Sequence, residues 1–103
     1  MLGLLQHERG YERHPMRPPN PIHPGRMLLE EFLAPSGVSQ RAFARRLGWT
    51  VARLNELING KRGITADSAL DLAAKLGTSP ELWLNLQMLF DLRRAEMRRR
   101  RAS

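Results

Sequence analysis

The sequence predicts an all-α fold, and three observations carry that prediction. Seventeen Leu and ten Ala stand against eight β-branched residues, a balance that favours helix and disfavours a sandwich or barrel. Glycines at 37, 48, 60, 63 and 77 punctuate the chain, and each gap between these breaks is helical in character. Within the gaps, apolar residues recur three and four apart, the repeat of one buried helix face. A length of 103 residues allows one domain with a small core.

The first twenty-one residues stand outside that domain. Six of the seven Pro lie before residue 36, five of them between Pro15 and Pro24. The stretch HPMRPPNPIH over residues 14–23 cannot be a helix, because Pro removes donors and biases the preceding residue to extended geometry. Residues 1–21 therefore read as a flexible arm. Leu2, Leu4 and Leu5 suit at most a short amphipathic turn there.

From Pro24 the pattern is helical. The first helix is expected over 24–33, with Pro early, where its missing donor is harmless. Leu28 with Phe32, and Leu29 with Leu33, give it one apolar face, and Ala34-Pro35-Ser36-Gly37 ends it. Ser39 suits the N-cap of a second helix over 40–47, with Phe43, Ala44 and Leu47 inward. Gly48 follows as a left-handed terminator. Thr50 caps a third helix over 51–59, with Leu54, Leu57 and Ile58 inward, and Gly60 stops it. Thr65 caps a fourth, with Asp67 against the positive helix end. Its face is Ala69, Leu72, Ala73 and Leu76, and Gly77 stops it. Ser79-Pro80-Glu81 supplies cap, Pro and first-turn acid for a fifth.

The fifth helix is apolar nearly all round. Leu82, Trp83, Leu84, Leu86, Met88, Leu89, Phe90 and Leu92 fall within eleven residues. One buried stripe needs only about three or four apolar positions in seven, so this helix must be buried on two sides. In a domain this small the second side points to another subunit. Trp83, Leu84, Leu86, Met88 and Phe90 are the expected homodimer contacts. The alternative is a helix at the centre of its own fold. Beyond Leu92 the helix is expected to fray into a basic tail over 95–103.

Charge indicates the partner. The formal net charge is +7, from fifteen Arg and two Lys against ten acids. Residues 24–64 carry +4, residues 65–92 carry −3, and residues 93–103 carry +5. So basic and uneven a chain suggests a polyanion, nucleic acid first. The chain has no Cys, which excludes disulfides, a thiolate zinc site and a Cys nucleophile. His7, His14 and His23 lie in or beside the arm, without metal-ligand spacing. No Gly-rich phosphate loop or hydrolase motif appears, so neither an enzyme nor a cofactor is expected. No apolar run approaches membrane-spanning length, and the N-terminus lacks signal-peptide order. Cytoplasmic residence is the expectation.

Helices two and three carry the functional signal. Phe43, Ala44, Leu47, Gly48, Trp49, Leu54 and Leu57 match the spacing of a helix-turn-helix, which presents its second helix to the DNA major groove. Ala44 is small where the helices cross, and Gly48 permits the positive φ of a short turn. The candidate DNA-binding residues follow from this register. Gln40, at a helix N-terminus, suits a phosphate. Thr50, Val51, Ala52 and Arg53 form the entering turn. Val51 and Ala52 suit thymine methyls, and Arg53 suits guanine or a phosphate. Glu56 suits a cytosine amine, with Asn55 beside it. Asn59, Lys61 and Arg62 suit the backbone, while Arg41, Arg45 and Arg46 form a solvated face. A basic RNA-binding helical protein is the weaker reading, since aromatic stacking platforms are missing.

Several segments resemble one known family. Pro21-Ile22-His23-Pro24-Gly25, Glu30-Glu31-Phe32-Leu33, Gly37-Val38-Ser39-Gln40, Leu57-Ile58-Asn59-Gly60-Lys61, Ala69-Leu70 and the run from Gly77 to Gln87 (GTSPELWLNLQ) are similar to HigA antitoxins. These are the VapI-like group of Xre-family helix-turn-helix proteins. The resemblance covers residues 20–94, and it delimits a domain at 22–94. It implies a compact five-helix, λ-repressor-like domain that forms a homodimer. It also implies binding to double-stranded operator DNA, repression of the chain's own operon in the bacterial cytoplasm, and neutralisation of a HigB-like toxin, a RelE-fold ribonuclease that cuts mRNA. Arg26 stands where the family carries an acid. The toxin should be basic, so Glu30 and Glu31, the acidic 65–92 segment, or the arm are its candidate contacts. A stand-alone Xre-family repressor without a toxin is the alternative.

Overall fold

The structure, a computed structural model, describes residues 21–102. The arm up to residue 20, with Leu2, Leu4, Leu5, His7 and His14, lies outside the described residues, as does Ser103. Among the described residues there are five helices and no strand. We number them α1 (24–36), α2 (Gln40–Leu47), α3 (Val51–Ile58), α4 (Ala66–Leu76) and α5 (Pro80–Ala102).

Helix α1 departs from its expected form. After a first turn, Pro24–Met27, it widens into a π-helical stretch, Leu28–Leu33, and closes in Ala34–Ser36. The Ala34 N–H donates to the Leu29 carbonyl, five residues back. Pro35 has no N–H to give, and the ladder widens just before it. The widening changes which residues point inward. Leu28 and Leu33, five apart, are fully buried, whereas Leu29 and Phe32 are half-buried against the core.

The expected caps are in place. Ser39 Oγ accepts from Ala42 N, Thr50 Oγ1 from Arg53 N, Thr65 Oγ1 from Ser68 N and Ser79 Oγ from Leu82 N. Each such cap stabilises by about 1 kcal/mol. Thr65 gains more than its own bond, because Ser68 Oγ accepts from Thr65 N and completes a capping box. Gly48 turns the chain between α2 and α3 with φ 74°.

The core is one cluster. Leu28, Leu54, Leu57, Leu72 and Trp83 are its largest fully buried side chains, each stabilising by about 2 kcal/mol. Ile64, in the α3–α4 loop, joins this cluster although it lies on no helix. Trp83 was expected at a dimer contact and is instead 0% exposed inside its own protomer. Its indole N–H donates to Thr78 Oγ1 at 2.8 Å, which satisfies the one polar atom it buries. Leu86 packs against the same core, and Phe90 meets His23 edge-on at 4.8 Å. These three therefore belong to the inner face of α5. Leu84 and Met88 lie outside, with Leu82, Leu89 and Leu92. Helix α5 does not fray after Leu92 but continues to Ala102.

Two contacts set how the helices meet. Gly25 sits on the α3 backbone, so that a β-carbon there would fall on the Leu57 carbonyl and crowd Ile58 Cα. Gln87, on α5, holds the α3–α4 loop. Its Oε1 accepts from Ile64 N at 2.7 Å, and its amide donates to Asp91.

His23 begins α1. Its Nδ1 accepts from Gly25 N at 2.9 Å, so the cap needs the neutral ring. Burial pushes its pKa below the ordinary histidine value. Asp91 and a hydrogen bond to the Arg62 backbone oppose that shift, and Arg94 adds to it.

Two predictions follow from these contacts. Gly25→Ala will destabilise the fold by about 3 kcal/mol, at the upper end for overpacking, because backbone rather than a side chain must yield; urea denaturation measures this. The depressed folded-state pKa of His23 gives stability that is fully present above about pH 6.5 and lost as pH falls through the lower folded value. The melting temperature of the wild type will therefore drop more on acidification than that of His23→Asn, which retains a capping oxygen and does not titrate.

Candidate nucleic-acid interface

The interface is built on the two short helices around Gly48. The Trp49 N–H donates to the Ala44 carbonyl at 2.9 Å, which closes the turn and leaves Thr50 extended as the α3 cap. Phe43, Ala44 and Leu47 from α2 and Leu54, Leu57 and Ile58 from α3 face the core. The opposite side of α3 is consequently left to solvent.

Val51 and Ala52 are both exposed in the first turn of α3. Thr50 is exposed as well, but its hydroxyl oxygen already accepts from the Arg53 N–H. Arg53 is half-buried. Its guanidinium lies 4.0 Å from the Trp49 ring centroid, a stack that holds a planar cation flat. Its Nε is buried without a hydrogen-bond partner among the described residues. The Trp49 indole N–H donates to Asp71 Oδ2 at 2.8 Å. An α4 carboxylate thus fixes the ring, and the ring fixes the arginine.

The amides form a second group. Asn55 Nδ2 donates to Gln40 Oε1 at 3.4 Å, linking α3 to the N-terminus of α2. Asn59 Nδ2 donates both to the Asn55 carbonyl and to Asn55 Oδ1. Gln40, Asn55 and Asn59 therefore make one polar row along the exposed side.

Glu56 and Arg62 form a third. Arg62 Nε and Nη2 donate to the same oxygen, Glu56 Oε1, at 3.1 and 2.8 Å. This pair joins α3 to the loop that follows it. Lys61 is exposed in that loop, where its backbone N–H donates to the Glu56 carbonyl. Arg41, Arg45 and Arg46 are all exposed on α2. Arg26 pairs with Glu30 at 2.8 Å across one turn of α1, both side chains being more than half exposed.

Eight of the ten candidate residues thus fall in three groups about the α2–α3 unit and its loop, and Val51 and Ala52 stand exposed at the start of α3. Asp71, which orders the Arg53 group, escaped the sequence reading. An acid on the polar side of a predicted helix carries no signal of its own. Gln87 did carry one: four residues past Trp83, it is a polar residue on the buried face of α5. No group of His, Asp or Glu that could hold a metal ion occurs among the described residues. Nor is any described helix long and apolar enough to cross a membrane.

Comparison with known proteins agrees with this geometry. The helix-turn-helix family (HTH_3) matches residues 29–83. Virulence-associated protein I of Dichelobacter nodosus is 47% identical over 75 residues, covering 73% of this chain and 69% of that protein. Antitoxin HigA-1 of Vibrio cholerae is 44% identical over 72 residues, covering 70% of this chain and 68% of that protein. Among solved structures, the Pseudomonas aeruginosa antitoxin HigA with the higBA promoter superposes with a TM-score of 0.76 at 36% identity, covering 81% of this chain and 90% of that one. This is a family of DNA-binding regulators and antitoxins rather than of enzymes. With half its length matched by the family, and with close relatives among the HigA antitoxins, the chain belongs to the Xre-type helix-turn-helix family.

Proposed function

We propose that this chain is the antitoxin of a type II toxin–antitoxin module. As a homodimer it binds operator DNA and represses its own operon in the cytoplasm, at the nucleoid while bound. It also neutralises a HigB-like toxin, an mRNA-cleaving ribonuclease of the RelE fold. The observation that carries the DNA half is the exposed first turn of α3, apolar at Val51 and Ala52 and flanked by the stacked Arg53. The toxin half is supported by the similarity to antitoxins.

In this reading the first turn enters the major groove. Val51 and Ala52 meet thymine methyls, and Arg53 presents its outer nitrogens to guanine or a phosphate. Gln40 and Asn59 close on the backbone at either end of the amide row, with Asn55 between them. Glu56 keeps Oε2 as an acceptor for a cytosine amine, since both Arg62 bonds land on Oε1. Lys61 and Arg62 hold the phosphates beyond the helix end.

The second apolar face of α5 supports the homodimer. Leu82, Leu84, Met88, Leu89 and Leu92 are all exposed, Met88 at 55%. So many large apolar side chains on one helix face mark an interaction surface. Two protomers joined there would present two α3 helices to half-sites about 34–36 Å apart. For the toxin, Glu30 and Glu31 are exposed acids on α1, and the acidic 65–92 segment is the other described candidate.

Four measurements test the reading. The wild type will protect a palindromic site in the DNA upstream of its own reading frame. Arg53→Ala will weaken that binding by about 1–3 kcal/mol and relax the base preference at one position; unchanged affinity and preference would remove Arg53 from the interface. Leu84→Lys with Met88→Lys will sediment as a folded monomer with reduced operator affinity, because neither residue serves the protomer's own core. Finally, the product of the adjacent gene will arrest growth alone, and co-expression of this chain will restore it. Operator binding without such rescue would instead support the stand-alone repressor.

A further inference from the structure

The strongest charge concentration in the molecule is not at the helix-turn-helix. It is the end of α5, where Arg98, Arg99, Arg100 and Arg101 follow one another. All four are exposed. At about 100° per residue they point in four directions, so they ring the helix rather than line one face. Arg100 has a contact within the chain, but no packing requirement explains Arg98, Arg99 and Arg101. A negative helix terminus accounts for basic residues in its last turn with a gain of about 0.3–1 kcal/mol, and one or two would serve. The last acid of the chain is Glu96, 3.6 Å from Arg93. The final turns therefore carry cations with no acid among them.

The position of this ring is informative. Helix α5 passes the α3–α4 loop where Phe90 packs on His23, whose ring in turn lies beside Gly60. Lys61 and Arg62 follow directly in that loop. Arg94 lies over Phe90, 5.5 Å from the ring centroid. The helix then continues for eight residues, about 12 Å, to Ala102. Cations thus run from the loop at the end of the recognition helix, past Arg94, onto the α5 extension.

We propose that this extension is a second nucleic-acid contact, with Arg98, Arg99 and Arg101 gripping the phosphates of duplex DNA that flanks the operator. The inference rests on the operator-binding reading above and extends its footprint. Positive charge is what the role requires, because phosphates are attracted to a cation without a fixed donor geometry. A ring of cations also accepts the backbone without needing a fixed base sequence.

The test compares two duplexes: the minimal operator defined by protection, and the same operator with ten base pairs of random sequence added at each end. Affinities are measured over a series of salt concentrations. The proteins are wild type, Arg98→Gln/Arg99→Gln/Arg101→Gln, and the corresponding triple Lys variant, with thermal melting to confirm that each is folded. The wild type and the Lys variant will bind the extended duplex about tenfold more tightly than the minimal one. The Gln variant will lose that preference, and its log–log salt slope on the extended duplex will fall by about two to three.

The inference is overturned if the Gln variant keeps the preference, or if the Lys variant loses it. It is also overturned if the wild type binds the minimal operator specifically and gains nothing from the flanks; the operator reading then stands alone. If the wild type binds no operator, the reading of the previous section fails and this inference fails with it.

Discussion

The rest of the structure depends on how closely α1 approaches α3 at Gly25. Two helix backbones touch there, and no side chain other than hydrogen fits between them. Pro24 supplies a preset φ for the first helical position, and His23 caps the helix that Pro24 starts. Each residue of the His-Pro-Gly segment thus has a different mechanical task, and all three act at one place. The C-terminal half of α3 is clamped by this contact. Its N-terminal turn, on the opposite end, is left exposed at a defined height above the core. His23 also receives Phe90, so the same junction locates α5.

Partly buried polar groups do the remaining alignment. Trp83 to Thr78, Gln87 to the Ile64 N–H and Trp49 to Asp71 each tie one element to another at 2.7–2.8 Å. Such a bond contributes about 1 kcal/mol when made and costs more when its partner is left buried and unpaired. They therefore select one arrangement of short helices more than they stabilise helices in general. A small core lined by leucines would tolerate several packings. These bonds tolerate one.

Charge follows the same division of labour. The +4 of residues 24–64 is carried by the half that holds the recognition helix, and the −3 of residues 65–92 by α4 and the body of α5. Even so, the cations of the candidate interface are not interchangeable. Arg53 is stacked on an aromatic ring, Arg62 is tied to Glu56, and Lys61 is exposed. Ordering a guanidinium before binding lowers the entropy lost on contact, whereas a freely moving lysine serves attraction at longer range.

Local rules are what made the sequence legible. Ser39, Thr50, Thr65 and Ser79 act as caps because a capping oxygen reaches only three residues, and Gly48 turns the chain because its backbone alone decides the φ. The helix-turn-helix was readable for the same reason: its two helices meet across one short turn, so its packing is nearly local. What the tertiary structure decided involves residues far apart in sequence. It drew Trp83 into the protomer's core and left Leu84 and Met88 outside, a choice that an evenly apolar helix cannot announce. It widened α1 before Pro35, so that Leu28 and Leu33 face inward together. It set Asp71 at the indole N–H of Trp49 and Gly25 against Leu57. Periodicity reports which residues share a face, but only the contact between elements determines which face is covered and what covers it.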